Sequence, residues 1–237
     1  MIAVQNISKK FGKLQVIENA SAEFNKGECI ALIGPNGCGK TTLIKCLLGM
    51  VVPNSGDILF NNTSIKNNVL YRSQIGYMPQ IGRYPENMSI GQVIEMIKNI
   101  RNYNNPPDED LLNAYKITDL LNKKMCTLSG GTTQKVSATI AFLFNPDVLI
   151  LDEPTAGLDP LAAETLKEKV IKEKEKGKLI IITSHLLSEL DELVTQVVFM
   201  DDGKIRFHKS TDELKHDTQM PSIAKAITHI LKTSVHV

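Results

Sequence analysis

The stretch that most constrains this 237-residue chain runs from Glu28 to Met50. Cys29-Ile30-Ala31-Leu32-Ile33 is a continuous apolar run that stops at Gly34, and it reads as a fully buried strand. Leu43, Ile44, Leu47 and Leu48 then recur at helical spacing. Between the two lies Gly34-Pro35-Asn36-Gly37-Cys38-Gly39-Lys40-Thr41-Thr42. A buried strand that passes through a glycine-rich turn directly into a helix is a unit of α/β architecture, and the chain is read as that class.

The spacing Gly34-x-x-x-x-Gly39-Lys40-Thr41 is the P-loop pattern in the strand–helix context it requires. Gly34, Gly37 and Gly39 let the backbone curl so that N–H groups point at phosphate oxygens. The helix start near Lys40 adds its positive dipole end. Lys40 supplies a flexible point charge for the β- and γ-phosphates, and the Thr41 hydroxyl is a hard oxygen donor suited to Mg²⁺. The bland alternative is an ordinary glycine-rich turn, and the Lys-Thr pair with correct flanks argues against it.

A second apolar run, Val148-Leu149-Ile150-Leu151, ends in Asp152-Glu153. A strand delivering two carboxylates beside a P-loop is the Walker B arrangement. Asp152 is placed to hold Mg²⁺, through water, and Glu153 to polarise an attacking water. A third run, Leu179 to Thr183, is followed by Ser184 and His185. Ligand-binding residues gather at the carboxyl ends of parallel strands, where an imidazole can donate to a γ-phosphate; the alternative is a structural histidine.

Leu128-Ser129-Gly130-Gly131-Thr132 precedes a segment with Val136, Ile140, Ala141 and Phe144 at helical spacing, closed by Asn145-Pro146. Ser129 is an N-cap candidate. The plain reading is a capped helix with a flexible start. The functional reading is a second anion site built from glycine amides and a helix N-terminus, without a lysine of its own.

Together these segments resemble the ATP-binding cassette (ABC) ATPases, in which the signature of one subunit closes on the γ-phosphate held by the other. The resemblance runs from the N-terminus to about residue 215. Phe11 matches the aromatic that stacks on adenine, Gly34 to Thr42 the Walker A loop, and Gln80 the Q-loop glutamine that contacts Mg²⁺. Leu128 to Thr132 matches the signature, Asp152-Glu153 Walker B with its catalytic glutamate, Gly157-Leu158-Asp159 the D-loop, and His185 the switch histidine. The implied fold is a P-loop NTPase core with an N-terminal antiparallel β-subdomain and an inserted helical subdomain. The expected division is an ATPase domain over residues 1–215, with the helical subdomain at about 88–144, and a helical tail over 216–237. The resemblance implies ATP and Mg²⁺ as cofactors. Its catalytic groups are Glu153, His185 and Lys40, and its nucleotide contacts extend to Ser129, Gly130, Gly131 and Asp159.

Three positions depart from the family pattern. Thr132 stands where the signature usually ends in Gln, Phe11 replaces the commoner Tyr, and Cys38 sits where Ser or Ala is usual. None removes a catalytic group. More narrowly, Gly49-Met-Val-Val-Pro53, the Met78–Met88 loop and the signature resemble the ATPases of transporters tied to copper and nitrous-oxide-reductase maturation, although no residue here reads as a copper site. The implied partners are a second copy, with ATP sandwiched between, and an integral membrane subunit, at the cytoplasmic face of the inner membrane. In the family the neighbourhood of Ile81 to Met88 meets that membrane subunit, and Arg83 and Tyr84 suit an interface. The rival class is a soluble ABC ATPase acting on ribosomes or DNA. A net charge of +1 and no basic arm argue against nucleic acid.

No run approaches the eighteen apolar residues of a membrane span, and no signal peptide is expected before Ile2-Ala3-Val4. Cys29, Cys38, Cys46 and Cys126 lack metal-ligand spacing, and a reduced compartment is expected. Cys38, beside a helix N-terminus, is expected to be the thiol that reagents attack. Residues 1–30 and 55–78, which include Ile75-Gly76-Tyr77-Met78, are expected to pair as an antiparallel sheet. Ser89-Ile90-Gly91-Gln92 is a capping-box pattern. Lys167 to Lys178 reads as a solvated helix face with no binding role.

Overall fold

The computed structural model describes residues 1–184 and 191–234. In chain order the first elements are β1 (Ile2–Phe11), β2 (Leu14–Phe24), β3 (Cys29–Ile33), α1 (Lys40–Leu47), β4 (Ser55–Phe60), β5 (Thr63–Ser64), β6 (Ile75–Met78), α2 (Ile90–Arg101), α3 (Asp110–Ala114) and α4 (Gly130–Leu143). Then follow β7 (Val148–Asp152), α5 (Pro160–Glu175), β8 (Leu179–Thr183), β9 (Gln196–Asp201), β10 (Lys204–Ser210), α6 (Thr211–Thr218) and α7 (Ile223–Ser234). The chain forms two compact units, Met1–Arg72 with Leu179–Val237, and Ser73–Lys178.

The first unit holds an antiparallel sheet in the order β2-β1-β4-β5. Ile2 faces Phe24 on one side and Phe60 on the other, and Ile2, Val4, Ile7, Ile17, Phe24 and Phe60 are buried. The pairing slips between Val4 and Ile7, where Asn6 takes φ 50°. Asparagine tolerates this left-handed conformation. The slip is braced from β2: Asn6 N donates to Ser21 Oγ at 2.9 Å, and Ser21 Oγ donates to Asn6 Oδ1 at 2.9 Å. The unit's other strands run β10-β9-β3-β8, with β3 parallel to both β8 and β9. Every residue of β3 and β8 is buried, as a strand covered on both faces requires. Leu43, Ile44 and Leu47 of α1 are buried in the same unit.

In the second unit β6 runs parallel to β7, Ile75 opposite Val148 and Met78 opposite Leu151. This corrects the expectation that Ile75–Met78 joins the antiparallel sheet. The segment is too short to distinguish alternation from a continuous apolar run, and Ile75, Gly76 and Met78 are all buried. Gly76 is where α4 packs down: a Cβ there would lie 2.0 Å from Ala141 O. The capping box at α2 forms as its spacing predicts, Gln92 N donating to Ser89 Oγ and Ser89 N to Gln92 Oε1.

Helix α5 corrects a second expectation. Its Lys/Glu-rich sequence is not simply a solvated face: Lys169 is 3% exposed and Glu173 is fully buried. Lys169 Nζ meets Asp108 at 2.5 Å, Asp110 at 2.8 Å and Glu173 at 3.0 Å. Glu173 also holds Lys176 at 2.7 Å and Lys178. Charges leave water here because each finds several partners of opposite sign.

Candidate functional site

In the first unit β3 delivers the chain to residues 34–42. Gly34 takes φ 155°, and a Cβ there would sit 2.0 Å from Met200 O and 2.7 Å from Cys38 Sγ. Gly39, at φ 108°, would drive a Cβ to 2.6 Å from Val16 O. The two glycines therefore let the loop lie against β9 and β2, whereas Gly37, at φ 81°, faces open space. Gly39 also occupies the cap position of α1 and has no side-chain oxygen, so no side chain caps the first turn. Its N–H groups are available to an anion. Lys40 Nζ folds over the loop and donates to Gly34 O at 2.7 Å and Pro35 O at 3.0 Å. Pro35, Asn36 and Thr41 are exposed and Thr42 is half-buried. Cys38 is 5% exposed, packed inside the loop, which corrects the expectation of an accessible thiol there; the exposed cysteine is Cys126. Phe11 lies at the β1–β2 turn with its ring half exposed and Lys9 Nζ 5.1 Å from the centroid.

In the second unit β6 ends just before Gln80, which is exposed and whose carbonyl accepts from Gln134 Nε2 at 3.5 Å. Tyr84 does not stand free as an interface residue: its hydroxyl donates to Ser137 Oγ at 3.0 Å on α4, and burial raises its pKa. The side chains that the loop does expose are Ile81, Arg83, Pro85, Glu86 and Asn87.

Strand β7 ends at Asp152, which is 6% exposed. Burial and the Asp152 charge push the neighbouring Tyr77 up to about 12. Glu153 takes φ 54°, a left-handed conformation in which a glutamate is strained. The chain then turns twice, Ala156 N donating to Glu153 O and Leu158 N to Thr155 O, each at 3.1 Å, and reaches Asp159. Asp159 caps α5 by accepting from Ala162 N at 2.9 Å. Its other oxygen takes Lys135 Nζ at 2.6 Å, and this lysine, with the Ala162 N–H, holds the carboxyl below the ordinary range.

Ser129 caps α4 as the sequence indicates, its Oγ accepting from Thr132 N at 3.3 Å and sharing a 2.9 Å hydrogen bond with Thr132 Oγ1. The two signature glycines differ. A Cβ on Gly131 would lie 2.9 Å from Gly157 O, while one on Gly130 would meet nothing within 4 Å among the described residues. Thus Ser129–Gly131 and Gly157–Asp159 come together, whereas His185 falls outside the described residues. Lys135 was not singled out in the sequence, because its partner lies 24 residues away and neither residue type is unusual on a helix. Among the described residues no helix is long and apolar enough to cross a membrane.

Comparison with known proteins places these features. The family model described as "ABC transporter" matches residues 17–156. A lantibiotic transport ATP-binding protein of Streptococcus pyogenes is 32% identical over 212 residues, covering 90% of this chain and 92% of that protein. The solved structure of an ATP-binding subunit of an ABC transporter superposes with a TM-score of 0.89 at 26% identity, covering 98% of this chain and 99% of the other. A dimeric bacterial ABC transporter cassette shares the fold, with a TM-score of 0.78 at 21% identity over 89% of this chain and 98% of that one. The chain belongs to the ABC transporter family and is an ATP-binding cassette of that family, an ATPase.

Proposed function

We propose that two copies of this chain hydrolyse MgATP between them and drive a separate integral membrane subunit from the cytoplasmic face of the membrane. The observation that carries this reading is the loop of residues 34–42, where Lys40 lies across the loop carbonyls at the base of a helix that no side chain caps. Gly130 supports the two-copy arrangement: among the described residues nothing lies within 4 Å of where its Cβ would be.

The reading assigns each residue a task. Phe11 stacks on the adenine, and the amides of Gly34 to Thr42 with the Lys40 ammonium take the phosphate oxygens. Thr41, Gln80 and Asp152 offer hydroxyl, amide and carboxylate oxygens, a donor set that fits Mg²⁺, which supplies charge neutralisation along the phosphate chain. Glu153 accepts a proton from water as the water oxygen bonds to the γ-phosphorus. The bond from that phosphorus to the bridging oxygen breaks, leaving ADP. Lys40 and His185 stabilise charge on the transferred group, joined by Ser129, Gly130 and Gly131 of the second copy. The reading counts Asp159 among the nucleotide contacts. Residues 1–215 form the ATPase domain, and 216–237 a tail outside the chemistry.

The relative in Streptococcus pyogenes is named for lantibiotic transport. For this chain the cargo is set by the membrane subunit. The narrower reading, a copper-related role in nitrous-oxide-reductase maturation, rests on the sequence of residues 49–53 and 78–88 alone. The test is purification of Glu153→Gln with ATP from detergent-solubilised native cells. A polytopic membrane protein beside it is the expected result, and periplasmic copper factors would support the narrower reading. Ribosomal or DNA-bound partners without a membrane protein would overturn the transporter assignment.

A further inference from the structure

Helices α4 and α5 begin side by side, and three contacts tie their first turns. Lys135 Nζ, in the second turn of α4, binds Asp159 Oδ2 at 2.6 Å, while Asp159 Oδ1 caps α5 through Ala162 N. The same ammonium lies 5.8 Å from the centroid of Tyr115, whose hydroxyl donates to Ala162 O at 2.9 Å. One turn earlier, Gly131 passes close enough to Gly157 O that a Cβ would lie 2.9 Å away. Asp159 is therefore fixed from two helices at once, and Tyr115 backs both.

We propose that Lys135 is a positioning residue: through Asp159 it locks Ser129–Gly131 and Gly157–Asp159 into one rigid surface that a second copy meets as a unit. The inference rests on the two-copy reading given above. Without the lysine, Asp159 still caps α5, but the turn from Gly157 to Asp159 is free to shift relative to the start of α4. A displacement of about 1 Å at groups that must meet a partner's phosphates costs up to ~10²-fold in what they do. The side chains are 26% and 53% exposed, so the pair contributes little to folding. Positioning and stability therefore separate.

The measurement is the ATP-driven dimerisation constant of Glu153→Gln by analytical ultracentrifugation with MgATP, alone and combined with changes at the pair. Lys135→Met is expected to weaken dimerisation roughly tenfold, with monomer affinity for a fluorescent ATP analogue and the melting temperature unchanged. Lys135→Arg restores dimerisation, because a guanidinium reaches the same carboxylate. Asp159→Asn keeps an N-cap and loses the charge. It is expected to lose at least as much dimerisation as Lys135→Met, because Asp159 is also counted among the nucleotide contacts, and the double variant to be no worse than Asp159→Asn alone. If the Glu153→Gln parent does not dimerise with MgATP, the two-copy reading fails and this inference falls with it. If the parent dimerises and Lys135→Met dimerises equally well, the positioning role alone is wrong. Losses that multiply in the double variant, or a lowered melting temperature in Lys135→Arg with no rescue, would also overturn it.

Discussion

Glu173→Gln tests whether the charges buried along α5 stabilise the fold. The Glu173 carboxylate is fully buried and receives three lysines: Lys169 at 3.0 Å, Lys176 at 2.7 Å and Lys178. Burial alone would raise its pKa, but the three cations outweigh it and bring it from 4.5 down to about 2. One pKa unit of difference between the folded and unfolded states corresponds to about 1.4 kcal/mol, so the ionised group contributes about 3 kcal/mol to stability. That lies at the low end of the roughly 3–5 kcal/mol for breaking a buried pair. The low end is reasonable, because Lys169 keeps Asp108 and Asp110. For a chain of this length the loss corresponds to a fall of roughly 6–12 °C in melting temperature. The chain has no tryptophan, so circular dichroism is the suitable readout. The folded pKa is depressed, so the contribution is complete above about pH 4.5 and is lost as pH falls through about 2. The gap between wild type and Glu173→Gln should therefore be widest at neutral pH and close across that window. A gap below ~1 kcal/mol at pH 7, or one that stays constant from neutral pH down to about 2, would refute the reasoning.

Two further outcomes can be checked on the purified protein. Gly130→Ala has room within the chain and should fold with an unchanged or higher melting temperature, since alanine is favoured over glycine in a helix by about 1 kcal/mol, yet lose ATP hydrolysis; phosphate release at the wild-type rate would contradict the open-face argument. A thiol titration of the native protein should count one fast-reacting cysteine, Cys126, and three more on unfolding, since Cys29, Cys38 and Cys46 are buried and burial pushes Cys46 up to about 11; rapid loss of two thiols would place a second one at the surface.

What could be read from the sequence was local. The turn after β3, the caps at Ser89 and Ser129, and the carboxylates closing β7 depend on residues a few positions apart, where spacing and backbone chemistry meet directly. The reading failed where partners are remote. Lys169 looked like a solvated lysine because Asp108 and Asp110 lie 61 and 59 residues away. Tyr84 looked like an exposed aromatic because Ser137 is 53 residues distant. Ile75–Met78 went to the wrong sheet because four residues cannot specify which neighbour they pair with. The Lys135–Asp159 pair belongs with these cases, whereas His185, proposed from its place after Leu179–Thr183, lies outside the described residues.

The left-handed backbone at Glu153 has a consequence for anyone who edits this protein. Most residues of this chain that take positive φ are asparagine or glycine, which the conformation suits. A redesign that scores only the folded state would therefore rank asparagine or glycine above glutamate at position 153, and would deliver a hardier molecule without the carboxylate proposed as its base. Selection for heat resistance and selection for turnover should thus part company first at this residue, so a sequence library that randomises it reports which of the two pressures was applied.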